Sequence, residues 1–417
     1  MNNRRNTIYA LLIVTLLTGL LTGRAFFFNI AYLLGGLLFV SFLWSWTAVR
    51  WLTITRKTRS RRAQVGRPFE ETFIIRNSAF LPKLWLEVKD DSELPGHRAS
   101  HIVPLLGART SYRWYVDTVC LVRGEFQLGP ITLTSGDPFG LYVSPRRIDS
   151  TQTLIVYPET VDIHKFDLPA GILSGGEAKR QRSYNVTTNA AGVREYAPGD
   201  SFNRIHWASS ARKNQLMVKE FEIDPLSDLW MLVDFSAQSL VEDPSVRRIR
   251  QIGPIIPDHI GIPFSTEEYA AVVAASLAKH FIETERSLGF GAYLPHREIY
   301  QPERGLRQLY QILQALAVGR SLSPYTLDQV LTLESPHLSR GTTLLIVTAS
   351  INERWISQAQ ILSRKGIRPS CVLIDPTSFG GAGNIDNAKA MLRIAKIPTR
   401  VVRRGDNIAN VLELPAS

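Results

Sequence analysis

Two uninterrupted apolar stretches, Ile8 to Gly23 and Ala25 to Val49, open this 417-residue chain and are parted by one arginine, Arg24. At 1.5 Å rise per residue they reach about 24 Å and about 37 Å as helices, against a hydrocarbon core of about 30 Å. The second is long enough to span; the first is short. Nine Lys or Arg and no acidic residue fall within residues 1–62, so nine of the net eleven positive charges sit there and the remaining chain carries only +2. Two arginines (Arg4, Arg5) precede the apolar pair, one lies between, and six basic residues from Arg50 to Arg62 follow. By the positive-inside rule both ends of such a hairpin face the cytoplasm. Trp44, Trp46 and Trp51 suit an interfacial belt at the exit. A cleaved signal peptide fits less well, because no small-x-small site follows Leu21 and Arg24 intrudes. The expected location is the cytoplasmic membrane, multi-pass, with the soluble part inside.

The whole sequence is 45% hydrophobic and 20% charged, enough for the part beyond the hairpin to bury real cores. Residues 63–160 alternate in short runs, as in Leu84-Trp85-Leu86-Glu87-Val88-Lys89, broken by turns at Pro95-Gly96, Gly129-Pro130 and Asp137-Pro138-Phe139-Gly140. That rhythm predicts an antiparallel β-sandwich of about seven strands. Residues 229–417 switch to strand, helix, strand, helix. Expected strands are Leu229 to Phe235, Gly289 to Leu294, Thr343 to Thr348, Ser370 to Ile374 and Thr399 to Val402. Expected helices are Leu306 to Val318, Glu353 to Lys365, Asn384 to Ala395, and one opened by a Ser265-to-Glu268 capping box that keeps one apolar face as far as Leu288. The pattern reads as a doubly wound α/β unit with a mostly parallel sheet, any ligand lying at the strands' carboxyl ends. Between them, residues 161–228 are polar, carry Gly175-Gly176 and read as exposed loop. Cys120 and Cys371, both in apolar runs, read as buried thiols.

Chemistry-bearing residues gather in that middle segment: Arg194-Glu195-Tyr196-Ala197-Pro198-Gly199-Asp200, then Arg204-Ile205-His206-Trp207, Arg212, and Lys219-Glu220-Phe221-Glu222. Pro198-Gly199-Asp200 is turn chemistry. The arginines and Lys219, interleaved with Tyr196, His206 and Trp207, would grip an acidic partner, or pair internally while Trp207 plugs a domain junction. The spacing R-E-Y-x-P-G-D, R-x-I-x-W and K-E-F-E resembles domain-of-unknown-function family 58. Arg123-Gly124, Leu128-Gly129-Pro130 and Asp137-Pro138-Phe139-Gly140 in the sandwich are also similar to it. The resemblance implies a von Willebrand factor A-like α/β domain and, as partner, a MoxR-type AAA+ ATPase; it implies no reaction.

The other candidate is Asp234-Phe235-Ser236, which ends the first α/β strand. Asp and Ser two apart can offer oxygens to Mg²⁺, as in the D-x-S-x-S adhesion site of A domains. Gln238 replaces the last Ser, and Thr348-Ala349-Ser350 stands where a second Asp belongs, so weak or no Mg²⁺ binding is expected. No G-x-S-x-G, Walker A, H-E-x-x-H or C-x-x-C occurs. The near-neutral soluble part argues against nucleic acid. The leading expectation is a non-enzymatic, membrane-anchored adaptor; the alternative is a membrane-bound hydrolase or metal-dependent ligand binder using Asp234. The orientation is checked by reporter fusions at Asn2 and Ser417, both expected to be active only on the cytoplasmic side. A Ser417 fusion active only outside would remove access to any cytoplasmic ATPase.

Overall fold

The computed structural model describes residues 2–168, 190–196, 205–221, 228–243, 262–294 and 296–416. Helices α1 (Asn2–Thr22) and α2 (Ala25–Ala48) are long and apolar enough to cross a membrane. They run antiparallel, with Gly35 beside Leu12 and both Tyr9 and Phe42 reaching Tyr142. The first helix is longer than its apolar core because it extends through Arg4 and Arg5.

The sandwich starts earlier than the sequence boundary at residue 63. Strand β1 (Leu52–Thr58) pairs antiparallel with β3 (Pro68–Asn77), which pairs with β6 (Ser111–Val119). A second sheet has the order β5-β4-β8-β9, built from β4 (Lys83–Asp90), β5 (His101–Leu106), β8 (Ile131–Gly136) and β9 (Val143–Ile148). A third joins β2 (Arg62–Gln64), β7 (Gly124–Leu128) and β10 (Gln152–Tyr157). Alternate residues of these strands, Phe73 and Ile75, Leu86 and Val88, Ile131 and Leu133, face inward and form a core with Trp114.

The early start also changes the charge count. Arg56 is buried, ion-paired with Glu71 (3.3 Å) and with Asp90, and His97 reaches both carboxylates at 3.2 and 2.9 Å. One of the six basic residues after the second helix is thus neutralised inside the sandwich.

The α/β unit carries one sheet of order β15-β14-β13-β16-β17-β18. Its strands are β13 (Leu229–Val233), β14 (Leu288–Tyr293), β15 (Arg297–Glu303), β16 (Thr343–Thr348), β17 (Arg368–Ile374) and β18 (Thr399–Val402). All neighbours are parallel except the antiparallel edge pair β14 and β15. Helices α4 (Thr266–Glu283), α5 (Leu306–Val318), α6 (Leu327–Glu334), α7 (Glu353–Arg364), α8 (Ile385–Ile394) and α9 (Ile408–Glu413) accompany it. Both faces are covered, which is why the inner strands read as unbroken apolar runs. Gly289 is required by packing: a Cβ there would lie 2.7 Å from the Trp230 ring.

Helix α4 ends at Glu283, so Leu288 belongs to β14 and not to the helix face. Its expected capping box does not form: Ser265 makes no side-chain cap, and the Glu268 carboxylate instead accepts from Arg123 Nε at 2.9 Å. A capping box does form at Thr326 with Gln329, opening α6. Arg123, 1% exposed, also donates to Glu267 (2.8 Å) and to the carbonyls of Leu316 and Gly319. Arg320 adds a second cation to both glutamates, at 3.3 and 3.5 Å. The sandwich is thereby bolted to α4 and to the end of α5. Arg123→Ala would leave two buried carboxylates short of a cation and should cost about 3 to 5 kcal/mol. Arg320→Ala, at a partly exposed position, should cost less than half of that. Calorimetric unfolding of the detergent-solubilised chain orders the two; equal and small losses would contradict this role for Arg123.

Candidate functional site

Strand order reverses between β13 and β16, the place where an open α/β sheet leaves a crevice at its carboxyl ends. Val233 pairs in register with Val347, so the residues that follow, Asp234 and Thr348, come face to face. Thr348 Oγ1 donates to Asp234 Oδ2 at 2.6 Å, and the Ser236 amide donates to Oδ1 at 2.9 Å. Ser236 Oγ donates to Ser239 Oγ at 3.2 Å, and Ser239 returns a bond to the Ser236 carbonyl. Burial pushes the Asp234 carboxyl above its ordinary 3.8, against hydrogen bonds from Thr348, Ser236 and Ser239 that pull it down. Ser239 and the Thr348 hydroxyl complete this cluster; the motif reading passes over Ser239 and notes Thr348 only as part of a stretch that lacks an expected Asp. A second buried carboxylate at the same sheet edge, Asp375 after β17, accepts from Thr377 and lies 3.5 Å from Arg403.

Mg²⁺ demands six oxygens in near-octahedral array. Asp234 supplies one carboxylate whose two oxygens already accept internal donors, and no cluster of three His, Cys, Asp or Glu able to hold a metal occurs among the described residues. A Mg²⁺ ion here would have to keep most of its waters, and the hydrogen bonds to Asp234 are those of a tied-down turn.

The described part of the middle segment is not all loop. Strands β11 (Ala190–Glu195) and β12 (Met217–Phe221) form an antiparallel ribbon, and α3 (Trp207–Lys213) lies between them in sequence. Arg194 stands opposite Val218, Lys219 opposite Val193 and Glu220 opposite Gly192 in the backbone register. Ile205, Met217 and Val218 are buried, and Ile205 bridges to Val218. Glu195 accepts from Gln215, and the Tyr196 amide donates to the Leu216 carbonyl. His206 caps α3, its Nδ1 accepting from the Ser209 amide at 3.2 Å, which is a structural use of that ring. Arg212 is exposed in the last turn. Trp207 is 68% exposed, so it is not the buried plug of a junction. Pro198, Gly199, Asp200 and Arg204 lie outside the described residues.

Other sequence features resolve as structure. His97 joins the Arg56 cluster, His101 stacks on Tyr112 and Trp114, and His280 Nδ1 is 2.7 Å from the Ile163 carbonyl. Both cysteines are buried and free. In the Asp137-Pro138-Phe139-Gly140 turn the Asp137 carboxylate accepts from the amides of Phe139, Leu141 and Tyr142, and Gly140 takes a φ of 70° that favours glycine.

The model of a family described as a protein of unknown function, DUF58, matches residues 192–248, a span holding most of the ribbon, α3 and the Asp234 turn. The uncharacterized protein YeaD of Bacillus subtilis (strain 168) is 36% identical over 132 residues, which is 30% of this chain and 31% of that protein's length. The match therefore spans about a third of that relative. Among solved structures, the CARDB domain of the PF1109 protein from Pyrococcus furiosus matches 25% of this chain and 86% of its own, at 15% identity and a TM-score of 0.19. Proximal thread matrix protein 1 from the mussel byssus matches 45% of this chain and 46% of its own, at 10% identity and a TM-score of 0.30. Scores this low leave the architecture to rest on the strand order itself.

The Asp234 environment makes a signed pH prediction. A carboxyl whose folded pKa is raised contributes stability below its unfolded pKa and loses it as pH rises through the folded value. Asp234→Asn removes that loss, so relative to the unsubstituted chain its unfolding midpoint should improve as pH climbs from about 4 toward 8. Millimolar Mg²⁺ against EDTA should leave both midpoints unchanged, since a bound ion would raise the first by mass action. A saturable rise with Mg²⁺ that the Asn variant lacks would contradict the tied-down reading.

Proposed function

We propose that the chain is a membrane-anchored, non-enzymatic interaction protein that presents its ribbon and α3 to an acidic surface of a partner protein. The observation that carries this is the exposure of Trp207 at the start of α3, one short helix that also holds Arg212 out in solvent. Trp and Arg are the residue types that most often dominate binding energy at interfaces, and Trp207 is mostly uncovered among the described residues. Arg212 and Lys213 in the last turn place two positive charges where an acidic partner surface would meet them.

In this reading α1 and α2 cross the cytoplasmic membrane with the soluble units inside, and the α/β unit is von Willebrand factor A-like. Support for the latter is the 3-2-1-4-5-6 strand order with one antiparallel edge strand. The partner we propose is a MoxR-type AAA+ ATPase, which rests on the family resemblance and on the cytoplasmic orientation together. An Asp234-dependent hydrolase gains no support from a carboxylate that is buried and bonded to Thr348 and Ser236.

Trp207→Ala and Arg212→Ala should each change stability by less than about 0.5 kcal/mol, as expected of exposed positions. Each should weaken capture of the ATPase by about tenfold, the arginine variant more steeply at low salt than at high. The paired measurement is unfolding midpoint and pull-down for each variant. Undiminished capture by both would discard this surface as the interface.

A further inference from the structure

A cleft of about 560 Å³ opens where α2 hands over to β1, lined by Trp46, Val49, Arg50, Trp51, Ser144, Pro145 and Arg146. Its two cations face no acidic residue in that lining. Arg146 spends one nitrogen on the carbonyls of Val49 and Leu52, at 3.1 and 3.3 Å, which fixes its guanidinium at the helix exit and leaves Nε and Nη2 for another acceptor. Arg50 lies 3.8 Å above the Trp46 ring, a stacked placement that holds it at the same rim.

The depth of the cleft follows from helix length. The 24 residues of α2 rise about 36 Å, some 6 Å more than a hydrocarbon core, so its last turn emerges at headgroup level. The sandwich is pressed against that turn. Ser45 Oγ is 2.8 Å from Ser144 Oγ, the Tyr9 and Tyr142 hydroxyls are 2.6 Å apart, and the Phe42 ring packs edge-on against Tyr142. Phe42 lies six residues before Ala48, about 9 Å back along the helix, so the turn holding the exposed Phe139 sits at or below the level of the cleft. With α2 across a bilayer the cleft would stand at headgroup level, and the exposed indoles of Trp46 and Trp51 in its lining are of the kind that anchor at that interface.

We propose that this cleft binds the phosphodiester headgroup of an anionic phospholipid, with Arg50 and Arg146 as its cations. The inference rests on α1 and α2 spanning the membrane. Guanidinium forks match phosphate oxygens, and a net positive cleft without a carboxylate favours a lipid of net negative charge over a zwitterion.

The test titrates the full chain in neutral detergent with phosphatidylglycerol or phosphatidylcholine and counts bound lipid by native mass spectrometry. Phosphatidylglycerol should bind at least about fivefold more tightly. Arg50→Gln should reduce that preference to under about twofold with the unfolding midpoint unchanged, and Arg50→Lys should keep most of it. Equal binding of the two lipids, an unaltered preference in the Gln variant, or displacement of the lipid by millimolar inorganic phosphate would each overturn the assignment. Alkaline carbonate extraction of native membranes separates the premise from the proposal. A chain released by carbonate refutes the spanning helices and the proposal with them, whereas a retained chain without lipid preference refutes the headgroup site alone.

Discussion

Arg123 lies in the sandwich, yet its guanidinium is spent almost wholly on the α/β unit: two carboxylates at the start of α4 and two carbonyls at the end of α5. It is the buried cation that Glu267 and Glu268 face at 2.8 and 2.9 Å, and a buried charge left unpaired costs several kcal/mol. The contact reaches further than the interface. Glu267 also accepts from the Ser321 amide at 2.6 Å, which sets the loop after α5. Ser323 in that loop pairs with the backbone of Phe235 and Ala237, on either side of Ser236. Placement of the turn at the sheet's carboxyl end thus depends on a residue of the other unit.

At its other end the sandwich is tied to the helical hairpin by the turn that Asp137 organises. Three backbone amides converge on one carboxylate, the turn is fixed, and Tyr142 is delivered to Tyr9 and Phe42. Arg146 does the same for the passage from α2 into β1 by bonding the carbonyls of Val49 and Leu52. The result is a continuous set of packed contacts from the apolar helices through the sandwich to the α/β sheet. A hairpin joined by a flexible linker would impose no such orientation.

Much of this was legible from pattern. Strands Thr343–Thr348 and Thr399–Val402 and helix Leu306–Val318 occur at the positions their apolar runs dictate, because a strand covered on both faces and a helix covered on one leave distinct periods. β15 escaped because it is an edge strand, polar, mostly half-exposed and interrupted by Pro302, with neither period. β1 was hidden by its own charges: Arg56 and Lys57 read as a membrane flank, and nothing local reveals that Arg56 would turn inward to Glu71 and Asp90. The ribbon of β11 and β12 is too short and polar to separate from a loop without its partner strand.

The apolar hairpin, the change from alternating to helical rhythm, and the place of Asp234 at a strand's end are each written in neighbouring residues and need no distant partner. Only the tertiary structure decided what the charged side chains do. Glu268 stands in capping-box spacing but bonds Arg123, 145 positions away. Asp234 ends a strand with no local partner for its Oδ2, which accepts from Thr348, 114 positions away. Trp207 looks like a buried anchor and stands in solvent. A charge or an indole is cheap to move through water and costly to bury alone, so its place is set by whichever partner the fold brings within about 3 Å, and that partner has no fixed distance in sequence.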